Sequence, residues 1–156
     1  MRIHIATDHA GLDLSHFLNQ ELSKQGHEVI DHGPTSYDPL DDYPSFCINA
    51  ALAVVADQQS GVKALGIVLG GSGNGEQIAA NKVKGVRAAL VWNHSTAVLA
   101  RQHNDANVIA VGARQHEQSE VLALIEAFVA EPFSQDERHV RRIGKIAAFE
   151  NSGEIL

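Results

Sequence analysis

Leu65-Gly66-Ile67-Val68-Leu69, running without a break into Gly70-Gly71-Ser72-Gly73-Asn74-Gly75-Glu76, is the stretch on which the reading of this chain turns. The first part is a short, uninterrupted apolar run bounded by glycine, the pattern of a central strand buried on both faces. Strands of that kind occur in parallel sheets, where each return to the starting edge is made by a helix. Four glycines among the next six residues allow a tight turn with successive backbone amides facing outward. Gln77 to Asn81 then reads as the start of a helix, giving strand, glycine loop and helix in succession.

The same alternation extends in both directions. Towards the amino terminus, Arg2 to Thr7 reads as a strand broken by Asp8-His9-Ala10-Gly11. A helix follows to Gln25, with Leu14, Leu18 and Leu22 at four-residue spacing and Gly26 as its stop. His27 to Ile30 makes a second strand, Gly33 to Pro44 a loop rich in Asp and Pro, and Pro44 to Ala56 an Ala-rich helix. Towards the carboxyl terminus, Arg87 to Trp92 and Asn107 to Val111 read as strands around a helix from Ser95 to His103. Two helical patterns close the chain, at Glu120 to Val129 and at about 135–149, separated by Pro132. The fold expected is α/β: a three-layer, doubly wound, Rossmann-like domain over residues 1–156, with five parallel strands and helices on both faces. Such sheets bind ligands beyond the carboxyl ends of their strands. Asp8 and His9, the glycine loop, Asn93 and His94, and Gly112 to Arg114 all follow strands and can converge there.

At 156 residues with 44% hydrophobic and 20% charged composition, the chain supports one core without metal or disulfide staples. A formal net charge of -7 excludes a whole-surface attraction to nucleic acid or anionic lipid but leaves a local anion site open. The cluster Arg138, Arg141, Arg142 and Lys145 stands out against that acidic background. Cys47 is the one cysteine, so no intrachain disulfide forms, and its apolar neighbours favour a buried thiol. With neither a signal-peptide pattern nor an apolar run long enough to span a bilayer, a cytoplasmic location is expected.

The glycine loop lacks the Lys-Ser or Lys-Thr of a Walker loop, because Gly75 is followed by Glu76. A carboxylate there would also repel a pyrophosphate. Amides from Gly71, Ser72, Gly73, Asn74 and Gly75 can instead stabilise a phosphate or an oxygen that gains charge, while Glu76 removes a carbon-bound proton. Taken alone, Glu76 reads equally as a first-turn helix residue and Ser72 as an N-cap. Asp8 and His9 are equally compatible with turn formation, His103 with a favourable cation at a helix end, and Arg138 and Arg142, four apart on one helix face, with a solvated basic surface. Arg114 adds a possible bidentate phosphate contact. The nine histidines fall into no metal-ligand spacing, so a metal-free acid–base site is expected.

Five segments in order make the chain resemble the ribose-5-phosphate isomerase B and galactose-6-phosphate isomerase family. They are ATDHAG (6–11), DDYP (41–44), GIVLGGSGNGEQIAANK (66–82), RQHNDANVIAVGAR (101–114) and RHVRRI (138–143). The resemblance implies a homodimer with active sites at the subunit interface, with association into a dimer of dimers left open. It implies cofactor-free interconversion of ribose 5-phosphate and ribulose 5-phosphate through a cis-enediolate. Glu76 is then the base, the Gly71 to Gly75 amides the anion hole, and Ser72 an aid to transfer between the two oxygens. Asp8 and His103 open the sugar ring, with Asn104 binding the sugar. His9, Arg114, Arg138 and Arg142 hold the phosphate, some of them from the opposite subunit, so that the 135–149 helix serves both site and dimer. One branch of the family carries a cysteine base at the position of Gly70; this chain resembles the glutamate-using, actinobacterial-type branch. The alternatives are a galactose, allose or tetrose phosphate substrate, or a noncatalytic sugar-phosphate-binding subunit.

Overall fold

The computed structural model describes residues 1–155. Its elements are β1 (Arg2–Ala6), a 3₁₀ turn (His9–Gly11), α1 (Leu12–Lys24), β2 (Glu28–Asp31), α2 (Tyr43–Gln59), β3 (Ala64–Gly70) and α3 (Asn74–Ala80). β4 (Ala88–Leu90), α4 (His94–Asn104), β5 (Val108–Gly112), α5 (Gln118–Ala130) and α6 (Glu137–Ser152) complete them. The five strands pair in the order β2-β1-β3-β5-β4, all parallel, so the doubly wound α/β architecture expected from the sequence is the one observed.

The topology dictates the layers. The steps from β1 to β2 and from β4 to β5 run one way across the sheet, while those from β2 to β3 and from β3 to β4 run the other way. Right-handed crossovers therefore send α1 and α4 to one face and α2 and α3 to the other. The two cores follow that division. Ile3, Ile5, Leu65, Ile67, Leu69, Ile109 and Val111 meet α1, α4 and α5, whereas Ala6, Val68, Val108 and Ala110 meet α2 and α3. Alternate strand residues thus present large aliphatics to one side and small ones to the other, as the two-residue period requires. On the small-residue side a Cβ on Gly66 would press within 3.0 Å of Val108 and 3.1 Å of Val54, so α2 lies close over the sheet. On the other side, Leu14, Leu18 and Leu22 of α1 are buried as their spacing predicts, and each contributes about 1.5–3 kcal/mol of apolar burial.

β1 and β3 are neighbours whose onward connections leave in opposite directions, which opens a crevice at their carboxyl ends. The turn after β1 and the glycine loop after β3 flank it. Here one boundary differs from the sequence reading: α3 begins at Asn74 instead of Gln77. Gly73 takes φ +79° as the N-cap, a left-handed conformation that starts the helix early, so Gly75 and Glu76 belong to its first turn. At the edge of the sheet, β4 is shorter than the Arg87 to Trp92 stretch because it pairs only with β5. α6 packs on α4 and leaves Val140, Ile146 and Phe149 exposed. Among the described residues no helix is long and apolar enough to cross a membrane.

Candidate active site

Asp8, Tyr43, Gly71, Ser72, Gly75, Glu76, Arg114 and Gln115 line a cavity of about 500 Å³ at the carboxyl edge, over the ends of β1 and β3. Each is delivered by a segment that follows a strand or opens a helix. Asp8 caps the 3₁₀ turn by accepting the Ala10 N–H at 2.9 Å and is buried. The glycine loop is fastened to the end of β5, where Ala113 N–H donates to the Gly70 carbonyl at 2.7 Å and Arg114 N–H to that of Gly71 at 3.2 Å. The loop has little room for side chains. A Cβ on Gly73 would meet Leu90 at 2.8 Å and the Val111 backbone at 2.9 Å, and one on Gly75 would run into the Tyr43 phenol. Ser72 is not the N-cap; its hydroxyl accepts from Asn74 Nδ2 at 3.2 Å.

Glu76 is only 4% exposed, and its carboxylate occupies the space beside Gly70 where any other residue would carry a Cβ. Both carboxylate oxygens and Cδ would collide with that atom. Gly70→Ala is accordingly expected to eject the carboxylate from its seat, removing activity and costing about 1–3 kcal/mol of stability; activity assays beside thermal melts check both effects.

Burial holds the Glu76 carboxyl above the usual glutamate range, the nearby negative charge of Asp8 adds to the effect, and a hydrogen bond from its own backbone N–H opposes it. Because the folded state binds this proton more tightly than the unfolded chain does, stability is lost as pH rises through the raised value. Glu76→Gln removes that loss. The variant is expected to melt about 2–4 °C above wild type at neutral pH, with the advantage shrinking toward the ordinary glutamate range near pH 4. Differential scanning calorimetry across that range measures it. Cys47, fully buried, has its thiol pushed far up by burial first and then by Glu76 and Asp8, so it stays protonated.

His9 sits at the rim. Its Nδ1 lies 2.6 Å from Asp41 Oδ1, its backbone N–H donates to the same oxygen at 3.1 Å, and its ring meets Tyr37 edge-on at 5.9 Å. Asp8, His9 and Asp41 each bring one potential metal-ligand atom within 4.8 Å of the others. His9 Nδ1 and one oxygen of each carboxylate are engaged in the His9–Asp41 hydrogen bond and the Asp8 cap. Arg114 is exposed, and Gly71 leaves room for its guanidinium, 3.5 Å from where a Cβ would lie.

The remaining sequence-selected residues lie elsewhere. α4 leaves the carboxyl edge at His94 and runs back along the sheet for 11 residues, about 16 Å at 1.5 Å per residue. That carries His103 and Asn104 to the amino edge, across the sheet from Glu76. There the His103 ring lies 4.2 Å from that of His139, on α6. His139 is buried, as its packed setting requires, and Nδ1 shares a hydrogen bond with Ser134 Oγ at 2.9 Å. Burial first, then the positive neighbours His103, Arg138 and Arg142, lower its affinity for a proton, against the pull of Asp136. Arg138 and Arg142 project from α6 and are exposed, and Arg138 reaches Asp136 at only 3.8 Å. Asn93, which the sequence places beyond a strand, is the N-cap of α4 in a reciprocal capping box with Thr96. One chain therefore brings together Asp8, Ser72, Glu76 and Arg114, and keeps His103, Asn104, Arg138 and Arg142 apart from them. Tyr43 and Gln115 line the cleft without having been selected; Tyr43 stands in the quoted DDYP segment, and Gln115 follows Arg114 just beyond β5.

The family described as Ribose/Galactose Isomerase matches residues 3–146. Ribose-5-phosphate isomerase B of Mycobacterium tuberculosis is 53% identical over 154 residues, covering 99% of this chain and 93% of that protein. The crystal structure of ribose-5-phosphate isomerase B from Mycoplasma genitalium with bound ribulose-5-phosphate superposes with a TM-score of 0.89 at 41% identity, covering 97% of each chain. Ribose-5-phosphate isomerase B of Clostridium thermocellum gives a TM-score of 0.90 at 38% identity over 99% of this chain and 100% of that one.

Proposed function

Because this chain belongs to the ribose/galactose isomerase family, we propose that its carboxyl-edge cleft is the proton-transfer half of a site that interconverts D-ribose 5-phosphate and D-ribulose 5-phosphate. The activity is ribose-5-phosphate isomerisation, in keeping with relatives of that name that span nearly the whole chain. Oxidation at C2 is balanced by reduction at C1 within one molecule, so no external oxidant or cofactor is needed.

The observation that carries the reading is the buried Glu76 carboxylate, seated beside Gly70 and opening on the cleft. In the open-chain aldose Glu76 takes the C2 proton, and O1 gains the charge that the Gly71 to Gly75 amides stabilise. The Ser72 hydroxyl relays the O2 proton towards O1, and Glu76 returns its own proton to C1 to give the ketose. A base held above the ordinary carboxylate range suits this task, because it gives a stronger driving force for accepting a carbon-bound proton. The Gly70 and Glu76 pairing supports the glutamate-using branch, since the carboxylate fills the space a cysteine side chain at 70 would need.

Ring opening and phosphate binding need the second group of residues. His103 donates a proton to the ring oxygen while Asp8 takes one from the anomeric hydroxyl, and Asn104 binds the sugar. His9, Arg114, Arg138 and Arg142 hold the phosphate and use its binding energy to position the reacting carbons. Since one chain carries the two groups at opposite edges, two copies in a homodimer complete each site, and the exposed Val140, Ile146 and Phe149 of α6 supply an apolar face for that association. Residues 1–156 act on this reading as one isomerase domain, with α6 serving site and dimer. The setting is cytoplasmic, consistent with the single, buried, unpaired Cys47. The test is a product panel followed by NMR in deuterated water over four-, five- and six-carbon sugar phosphates. Fastest conversion and C2 exchange with the five-carbon pair is expected; preference for another length would transfer the mechanism to that substrate.

A further inference from the structure

We propose that Asp41 is a positioning residue that sets His9 for the substrate phosphate; this rests on the reading of His9 as a phosphate ligand given above. A histidine on a rim turn has two ring orientations and, when neutral, two tautomers, and only some of these present a donor to an anion. Asp41 removes the choice. Its Oδ1 accepts from both the backbone N–H and the ring Nδ1 of His9, at 3.1 Å and 2.6 Å, so one oxygen fixes the main chain and the imidazole together. Nε2 is left as the outward ring atom, and Tyr37 stands edge-on against the ring.

Two further observations separate this contact from a chance surface pair. The Asp41 side chain is only 8% exposed, and its Oδ2 is buried without a hydrogen-bond partner. Keeping a carboxylate oxygen dry and unpartnered is unfavourable unless its charge faces a cation. In the proposed complex the ring lies between two anions, donating Nδ1–H inward to Asp41 and Nε2–H outward to a phosphate oxygen. Asp41 touches none of the atoms that react and acts through His9 alone.

Asp41→Ala is expected to raise KM for ribose 5-phosphate about 10-fold, as loss of a charge-assisted hydrogen bond does, while kcat changes little. Long-range ¹H–¹⁵N correlation of the neutral His9 ring is expected to show loss of the Nδ1–H tautomer. Asp41→Asn, which keeps an acceptor without the charge, restores the tautomer and part of the affinity, and carries the KM test by itself should the alanine variant not fold. In a His9→Ala background neither substitution raises KM further. An unchanged KM in the Asp41 variants beside a raised one in His9→Ala, or additive effects of the two sites, overturns the proposal while sparing the phosphate reading. An unchanged KM in His9→Ala alone removes both.

Discussion

Glu76→Gln is expected to bind ribose 5-phosphate and leave it unconverted, with kcat reduced roughly 10²–10⁴-fold, the range for loss of a general base. Glutamine has the shape of the carboxylate it replaces, so the space beside Gly70 stays filled and the loop keeps its form. What disappears, on the proposed reading, is the basicity of the carboxylate oxygen that accepts the C2 proton, an interaction needed in the transition state far more than in the bound ground state. KM should therefore stay within a few-fold of wild type while kcat falls. Solvent deuterium exchange at C2, followed by ¹H NMR, separates this from a binding defect. A variant that still exchanges at the wild-type rate would show that another group is the base. Its higher melting temperature would make misfolding an inadequate explanation for lost activity, because an ionisable group kept in a buried seat trades stability for function.

The second large effect concerns two inactive proteins that repair each other. If Glu76 is the base and His103 the ring-opening acid of a homodimeric enzyme, as proposed above, Glu76→Gln and His103→Ala are each expected to be nearly inactive. If every site takes Glu76 from one subunit and His103 from its partner, a mixed dimer has one site with both defects and one with neither. Random reassortment makes half the dimers mixed, so the pool should recover about one quarter of wild-type activity, as follows from two equivalent sites in a two-fold dimer. Mixing after mild dissociation and reassociation, with activity followed over time, tests this directly. No recovery, once exchange of subunits is established by mass spectrometry, would mean that both residues serve the same chain's site or that they never share one.

The sequence made the layers legible because the strands of a doubly wound sheet are apolar runs and their helices are separated by glycine and proline. The alternation around Leu65 to Leu69 sufficed for the architecture. The start of α3 was not legible, because a glycine-rich segment has low helix propensity whichever residue opens the helix. Gly73 fixes the start through its left-handed conformation, which a composition does not reveal. Among the site residues, those directly after strands, Asp8, Ser72 and Arg114, meet at the cleft as chain position suggests. His103 was readable as the end of a helix, and the end of a crossover helix lies at the amino edge; that inference needed the topology before it could be drawn. Gln115 follows β5 beside Arg114 and could have been drawn from the same chain position, whereas Tyr43 and Asp41 arrive from the loop and helix after β2, and periodicity carries no record of such contacts.

The volume shared by position 70 and the Glu76 carboxylate also constrains how this site could have changed over time. A side chain at 70 collides with Glu76 as long as the latter keeps its length and rotamer. On the proposed reading of Glu76 as the base, replacing it by a side chain at position 70 is therefore order-dependent. Shortening position 76 first clears the space but removes the carboxylate, whereas changing position 70 first forces the carboxylate out of its present rotamer. Each single change disturbs the seat of the other side chain, so substitutions at 70 and 76 are coupled. A glycine that makes no contact with substrate through a side chain is, in that sense, as strongly tied to the chemistry as the residue it shelters.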